Sequence, residues 1–191
     1  MTNKISIMFT VAGDPEAVDQ DKLLAMKTDA IEIGVAFSDP VAESPDVQKA
    51  NLRALAAGAK DGAVEAALAL TKELGGKTDA KLVLYSYYNP VFRFGLDRFF
   101  EQCAENGVFG VTLTDLPFEE CEEAKAPAAA NGIELLSSIA TTDPERAKQI
   151  ASVAQGYLRI EPVGDVEQLA AVVTAIKEVS KIPYALCMLE G

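Results

Sequence analysis

The chain contains no histidine, so its available catalytic acids and bases are carboxylates, tyrosines, lysines and cysteines. Ser-His and Cys-His catalysis are excluded, because both need an imidazole to activate the nucleophile. The three cysteines, Cys103, Cys121 and Cys187, are widely spaced and form no C-x-x-C pair. This pattern favours buried or incidental thiols over a disulfide framework or a zinc site. We expect no metal and no cofactor.

The charge balance is acidic, with 29 Asp and Glu residues against 17 Lys and Arg and a net charge of -12. Nucleic-acid and anionic-membrane binders carry basic blocks, which this sequence lacks, so neither partner is expected. The net charge also repels anionic substrates, so a phosphate site must create its own local positive potential. No apolar run has membrane-spanning length and no signal-peptide pattern opens the chain, so we expect a cytoplasmic location.

Short apolar runs alternate with longer amphipathic stretches, a pattern typical of βα units and a parallel sheet. We predict seven strands, at residues 5–11, 30–34, 81–86, 109–114, 133–138, 157–163 and 183–188. We predict that helices begin at four dipeptides whose residues suit helix caps and first turns: Asp14-Pro15, Ser44-Pro45, Asp143-Pro144 and Gly164-Asp165.

With 191 residues, of which 49% are hydrophobic, the chain can bury one sizeable core, and we expect a single domain over residues 1–191. The βα alternation by itself is compatible with an open doubly wound sheet or a closed barrel. The first strand leads into Ala12-Gly13-Asp14-Pro15 rather than G-x-G-x-x-G, which argues against dinucleotide binding.

Four stretches with unusual composition lie at the predicted strand ends. They are FTVAGDP at 9–15, IEIGVAFSDPVAESP at 31–45 followed by Gln48, Ala50, Asn51 and the run 52–58, YYNPVFRFG at 87–95, and TDLP at 114–117. In this order, and in register through about Tyr157, the sequence resembles the tryptophan synthase alpha subunit family. The second stretch is long enough to make chance agreement remote, whereas Asp-Leu-Pro alone is a weak match.

The resemblance implies an α/β fold of the TIM type, a (βα) barrel whose active site lies at the C-terminal ends of the strands. With about seven strands instead of eight, we expect a shortened barrel that is incomplete or closed by oligomerisation. The edge of the seventh strand must then be paired, covered or swapped with another chain.

The resemblance also implies a reaction, the cleavage of indole-3-glycerol phosphate to indole and glyceraldehyde 3-phosphate. Glu32 occupies the position of the general acid/base that acts on the indole ring, a task that needs a carboxyl group partly desolvated so that its pKa rises. The candidate apolar walls are Ile31, Ile33, Phe9 and Phe37. The second carboxylate, normally an aspartate that meets the indole nitrogen, falls at Glu43, one methylene longer.

Further residues are assigned by the resemblance to the substrate and to a partner. The substrate-binding positions are Phe9, Tyr85, Tyr87, Thr114 and Arg159. The positions on loops that meet the family's beta subunit and help to pass indole are Asp39, Pro40, Asn89, Asp115 and Pro117. Simpler explanations stay open, since strand aromatics often pack in cores and loop Pro and Asn often serve turns.

Several departures from the family pattern concern the phosphate. The predicted sixth strand passes almost directly into a helix, where the family has a mobile Gly-Val-Thr-Gly loop. The family's two phosphate-binding turns have no counterpart in the sequence, whose last three residues are Leu189-Glu190-Gly191. Arg159 replaces a tyrosine; its charge could neutralise a phosphate, or pair with Glu32 or Glu161 and lower the pKa of the acid.

Two functions therefore remain open. One is a lyase of the tryptophan synthase alpha type with impaired activity, working alone or with a beta subunit. The other is a catalytically silent homologue that binds or modulates a beta-type partner. A homo-oligomer is compatible with either, and a barrel shortened without retained activity is a third interpretation.

Overall fold

Seven strands alternate with eight α-helices in the part of the chain that the structure describes. The computed structural model describes residues 4–187, apart from the side chain of Asp61. These residues fall into two units: a larger unit, Ser6–Glu134, and a smaller unit formed by residues 4–5 with residues 135–187. The expectation of a single domain stays a prediction.

The larger unit contains four strands, each parallel to the next. They are β1 (Ile7–Val11), β2 (Ala30–Gly34), β3 (Lys81–Ser86) and β4 (Gly110–Leu113). All five residues of β2 are buried, as are five of the six in β3. Such continuous burial is typical of parallel strands covered on both faces, which explains why these runs are largely apolar rather than alternating, with Glu32 as the exception in β2.

Six helices accompany these strands. They are α1 (Gln20–Ala25), α2 (Pro45–Ala56), α3 (Ala63–Leu74), α4 (Tyr88–Phe94), α5 (Leu96–Glu105) and α6 (Glu122–Ala130). The predicted start of α2 is confirmed, with Ser44 as the N-cap and Pro45 in the first turn. The predicted helix start at Asp14-Pro15 is wrong. Helix α1 begins at Gln20 with Asp19 as its cap, and the Asp14 carboxylate instead binds the Arg53 guanidinium.

The smaller unit contains the last three strands and two helices. They are β5 (Glu134–Ile139, which starts at the unit boundary), β6 (Leu158–Ile160), β7 (Tyr184–Leu186), α7 (Pro144–Val153) and α8 (Val166–Val179). Both predicted helix starts are confirmed: Asp143 caps α7, and Asp165 forms a capping box with Gln168 at α8. Gly164, with φ +76°, allows the tight turn before that box.

The N-terminal segment pairs with β7 inside the smaller unit. Lys4 forms a parallel bridge with Tyr184, and the Ile5 N–H donates to the Tyr184 carbonyl at 3.0 Å. At this position the chain itself supplies the pairing that the edge of the seventh strand was expected to need.

All seven predicted strands are found, with identical bounds for β2 and β3. The sixth is shorter than predicted, because only Leu158–Ile160 pair with β5 and β7. Residues 188–191, which include the predicted end of the seventh strand and the last three residues, lie outside the described residues. Between residues 4 and 187, no helix is both long and apolar enough to cross a membrane.

Candidate active site

Glu32 lies in the middle of β2 and is completely buried. It is in register with Phe9 of β1 and Val83 of β3, so the three side chains project from the same face of the parallel strands. Ile31 and Ile33 alternate to the opposite face and cannot be the apolar walls that the sequence suggested. Phe9 and Val83 flank the carboxyl group instead.

The ring of Phe9 reaches across β2 to Tyr85. The two rings meet edge to face, with centroids 5.5 Å apart and planes at 89°. Gly34 lies between them in register with Tyr85, and a Cβ atom added there would come within 2.9 Å of the Phe9 ring. Gly34 therefore gives Phe9 the space to contact Tyr85. Sequence reasoning missed this role, for which the only signal was a glycine inside a buried strand.

Glu43, Tyr85 and Thr114 come together through their side chains. The Tyr85 hydroxyl donates to Glu43 Oε1 at 2.8 Å, and it lies 3.0 Å from Thr114 Oγ1. A phenol has only one proton to donate. When Tyr85 donates it to the Glu43 carboxylate, the Thr114 hydroxyl donates its own proton to the Tyr85 oxygen. One hydrogen-bonded chain thus joins three of the predicted site residues, which come from the loop after β2, from β3 and from the end of β4.

Tyr87 holds the backbone of the same loop. Its side chain is 5% exposed, its ring lies 4.8 Å from that of Phe37, and its oxygen accepts from the Ala42 N–H at 2.9 Å. Burial raises the pKa of Tyr87, and the negative charges of Glu43 and Asp115 act in the same direction. Tyr87 therefore stays neutral and fixes the residue next to Glu43.

Asn51 is a second anchor for this loop. It is 5% exposed within α2, its Oδ1 accepts from the Phe37 N–H at 2.8 Å, and its Nδ2 donates to the Val47 carbonyl at 2.8 Å. A buried amide with both ends bonded fixes the backbone that it contacts. Sequence reasoning did not assign Asn51 to the site, although a lone amide on the inner face of a helix is a usable signal.

The five predicted partner-contact residues lie in loops and at one helix start of the larger unit. Asp39, Asn89, Asp115 and Pro117 are exposed, whereas Pro40 is buried. Ser38 Oγ donates to the Asp39 carboxylate at 2.5 Å, and the Tyr88 N–H at the start of α4 donates to Asp115 Oδ1 at 2.7 Å. Their contact with a partner stays a prediction.

Arg159 lies in the smaller unit, on β6. It is in register with Ser138 of β5 and Ala185 of β7, and its Nε donates to Glu161 Oε1 at 3.1 Å. The side chains of Arg159 and Glu161 are 11% and 26% exposed. Of the two carboxylates considered from the sequence, Glu161 is thus a structural partner of this arginine.

Two of the cysteines lie in the larger unit. Cys103 is a buried thiol, and burial raises its pKa to about 12. Burial also raises the pKa of Cys121, which is partly exposed. A protonated thiol is a poor nucleophile, so neither of these two residues offers covalent chemistry.

The sequence profile of the family described as "Tryptophan synthase alpha chain" matches residues 2–186. The chain belongs to this family. The tryptophan synthase alpha chain of Microcystis aeruginosa is 40% identical over 162 residues, which are 82% of this chain and 60% of that protein. The homologue of Geobacillus stearothermophilus is 37% identical over 193 residues, covering 94% of this chain and 71% of its own length. This chain therefore spans about 60% of the length of the Microcystis homologue.

Solved structures give the same assignment for the fold. A structure from Aquifex aeolicus superposes with a TM-score of 0.85 and 31% identity, covering 98% of this chain and 75% of that one. The Pyrococcus furiosus tryptophan synthase complex superposes at 0.82 with 28% identity, covering 95% and 76%. The chain thus has the TIM-type (βα) barrel fold of the tryptophan synthase alpha family, with seven strands within residues 4–187, and the open doubly wound alternative is excluded.

Proposed function

We propose that this chain is a lyase of the tryptophan synthase alpha type, which cleaves indole-3-glycerol phosphate to indole and glyceraldehyde 3-phosphate. The observation that carries the proposal is the completely buried Glu32 carboxyl group, in register with Phe9 and Val83. Burial penalises the charged form of a carboxyl group, so Glu32 is suited to hold the proton that the reaction needs.

The reaction balances around Glu32. The acid protonates the ring carbon that bears the side chain, and the positive charge moves to the ring nitrogen. The bond to the side chain then breaks and its electrons restore the aromatic ring. The adjacent hydroxyl loses its proton to the Glu32 carboxylate and becomes the aldehyde, which regenerates the acid. Glu43 accepts a hydrogen bond from the ring N–H and stabilises the charge that develops there.

The remaining site residues have supporting roles in this proposal. Phe9, Tyr85 and Tyr87 contact the indole ring or hold the loop beside it, and Thr114 orients the Tyr85 hydroxyl. Arg159 attracts the phosphate, but Glu161 competes for its charge. The longer side chain at position 43 and the short connection from β6 to α8 also lead us to propose that the activity is impaired relative to the family.

A second candidate function is binding without catalysis. The exposed positions Asp39, Asn89, Asp115 and Pro117 lie beside a loop that Asn51 and Tyr87 hold in place, which suits a preformed partner surface. The similar Pyrococcus furiosus chain belongs to an α2β2 complex. A beta-type subunit is therefore the proposed partner, with a homo-oligomer as the alternative.

One experiment separates these functions. The purified chain is incubated with indole-3-glycerol phosphate, with and without a beta subunit, and indole release is followed. The lyase proposal expects release that Glu32→Gln abolishes and that Glu101→Gln, at an exposed glutamate of α5, leaves intact. Equal release from Glu32→Gln and the unaltered chain would reject it. Co-elution with the beta subunit in the absence of turnover would instead support the binding function.

A further inference from the structure

The carboxylate of Glu43 lies on a loop, whereas its hydrogen-bond donor lies on a buried strand. Glu43 is half-buried between β2 and α2, and its Oε1 accepts from the Tyr85 hydroxyl at 2.8 Å. Tyr85 is 5% exposed and is in register with Gly34 and Thr112. A residue so placed in a parallel sheet has little conformational freedom, so its hydroxyl is a fixed hydrogen-bond donor for the Glu43 carboxylate.

We propose that Tyr85 is a positioning residue, which holds the Glu43 carboxylate where it meets the substrate's ring nitrogen. The inference rests on the proposed lyase function and deepens it. Thr114 completes the arrangement, because its hydroxyl lies 3.0 Å from the Tyr85 oxygen and can donate to it. The phenolic proton is then directed to the carboxylate.

The length of the Glu43 side chain gives this contact its importance. Glutamate has one more rotatable bond than aspartate, and fixing that bond costs conformational entropy when the carboxylate must take one position. A hydrogen bond from a rigid donor limits the positions that the carboxylate can take before the substrate binds. The loop backbone is held by Tyr87, since the Ala42 N–H donates to its oxygen. The Tyr87 hydroxyl also makes a side-chain hydrogen bond with Glu43. Tyr85 thus acts on the carboxylate beside Tyr87, which contacts both the loop backbone and the carboxylate.

The surroundings of Tyr85 permit a clean substitution. Phenylalanine keeps the ring that meets Phe9 edge to face and removes only the hydroxyl. Tyr88 provides a matched control, because its hydroxyl donates to another glutamate, Glu123, at 3.2 Å, near the start of α6. Thr114→Val provides a second variant, which keeps the side-chain shape and removes the donor behind Tyr85.

The kinetic test is a double-mutant cycle on indole release. Tyr85→Phe is expected to lower kcat/KM by about 10- to 100-fold, mostly through kcat, because misplacement of a reacting group by about 1 Å has an effect of that order. Thr114→Val should have a smaller effect in the same direction, and Tyr88→Phe should stay within about twofold of the unaltered chain. In a Glu43→Ala background, Tyr85→Phe should cost nothing further, since the carboxylate that the phenol positions is already absent. Equal losses from Tyr85→Phe with and without Glu43 would reject positioning in favour of a purely structural role.

A structural readout keeps this inference separate from the function on which it rests. If the unaltered chain releases no indole, the lyase proposal fails, and crystal structures of the unaltered chain and Tyr85→Phe then decide the positioning role. We expect the Glu43 carboxylate to move by more than about 1 Å or to lose its defined position in the variant. A carboxylate that keeps the same position without the phenol would overturn the inference, whatever the activity.

Discussion

Strand-end polar groups are organised differently in the two units. In the larger unit, Tyr85 links Glu43 to Thr114 by hydrogen bonds. In the smaller unit, the buried hydroxyls of Ser138 and Tyr184 have no hydrogen-bond partner within residues 4–187. Strands β6 and β7 have three residues each, whereas the four strands of the larger unit have four to six. Strand β5, which starts at the unit boundary, has six. The larger unit thus has the bonded site, and the smaller unit has the two shortest strands of the described residues.

The difference shows which polar groups of this chain are held in a defined geometry. Buried polar atoms that bond to one another hold each other in position, whereas buried hydroxyls without partners cost free energy and position nothing. Arg159 is charged, but Glu161 compensates it. We therefore expect the groups that act on the ring to be better organised than those that would hold an anion. Thr112 is an exception in the larger unit, since its buried hydroxyl also has no partner among the described residues.

The largest expected effects separate catalysis from substrate binding. Glu32→Gln should lower kcat by about 10²- to 10⁴-fold with little change in KM, because it removes the proton donor and keeps the side-chain volume. Arg159→Gln should raise KM by about tenfold at most and leave kcat nearly intact, because it removes one charge that attracts phosphate. Steady-state kinetics of both variants measure this split. The reverse pattern, with kcat lost at Arg159, would show that the smaller unit carries the chemistry.

A substitution at Gly34 should disturb the packing inside the larger unit. In Gly34→Ala the new methyl group would lie 2.9 Å from the Phe9 ring, which must move away from Tyr85. We expect a destabilisation of about 1–3 kcal/mol, the usual cost of overpacking, and a fall in kcat/KM. Urea unfolding and indole release measure the two effects. Unchanged stability and activity would show that Phe9 does not need its contact with Tyr85.

The buried hydroxyls without partners allow a smaller test in both units. Thr112→Val and Ser138→Ala each remove such a group with little change of shape, so each should leave stability unchanged or raise it by about 1 kcal/mol. If either loses more than that in urea unfolding, its hydroxyl makes a bond to water or to a ligand. A loss of activity in Thr112→Val at unchanged stability would assign that hydroxyl to the substrate.

Two ion pairs give the smallest expected effects, and they differ in pH dependence. Arg53 donates two hydrogen bonds to Asp14, both at 2.7 Å, and these bonds hold the pKa of Asp14 below its ordinary value of 3.8. The pair therefore stabilises the fold above that value, and its contribution is lost as the pH falls through the lower folded pKa. Arg53→Met should lower the thermal midpoint at pH 7, and the difference from the unaltered chain should disappear as the pH falls below the lowered pKa of Asp14.

Lys148 of the smaller unit is the matched control for that pair. It contacts Glu145 at 3.0 Å and Glu178 at 2.8 Å, but both carboxylates are largely exposed. Exposed ion pairs are screened by water and salt, so Lys148→Met should lower the thermal midpoint less than Arg53→Met does at pH 7. A larger loss at Lys148 would contradict the view that the larger unit holds the better-organised polar contacts.

Much of the fold could be predicted from local patterns. The strands β2 and β3 are largely apolar runs, and their bounds were predicted correctly. Cap residues are also local signals, and Ser44, Asp143 and Asp165 start helices as predicted. Asp14 is not a helix start, although its Oδ1 accepts from the Glu16 N–H as a cap would. The same carboxylate also pairs with an arginine 39 residues away, a partner that no local pattern shows.

The sequence by itself determined the βα order, the family and the placement of Glu32 in a buried strand, because these depend on apolar periodicity and on contiguous motifs. Only the tertiary structure decided that Tyr85 binds a carboxylate 42 residues away, that Phe9 crosses Gly34, and that Arg159 pairs with Glu161. Such contacts depend on strand register, loop path and side-chain rotamer. These are settled by packing across each unit, because the free energies of single side-chain contacts are too small and too alike to be ranked from sequence.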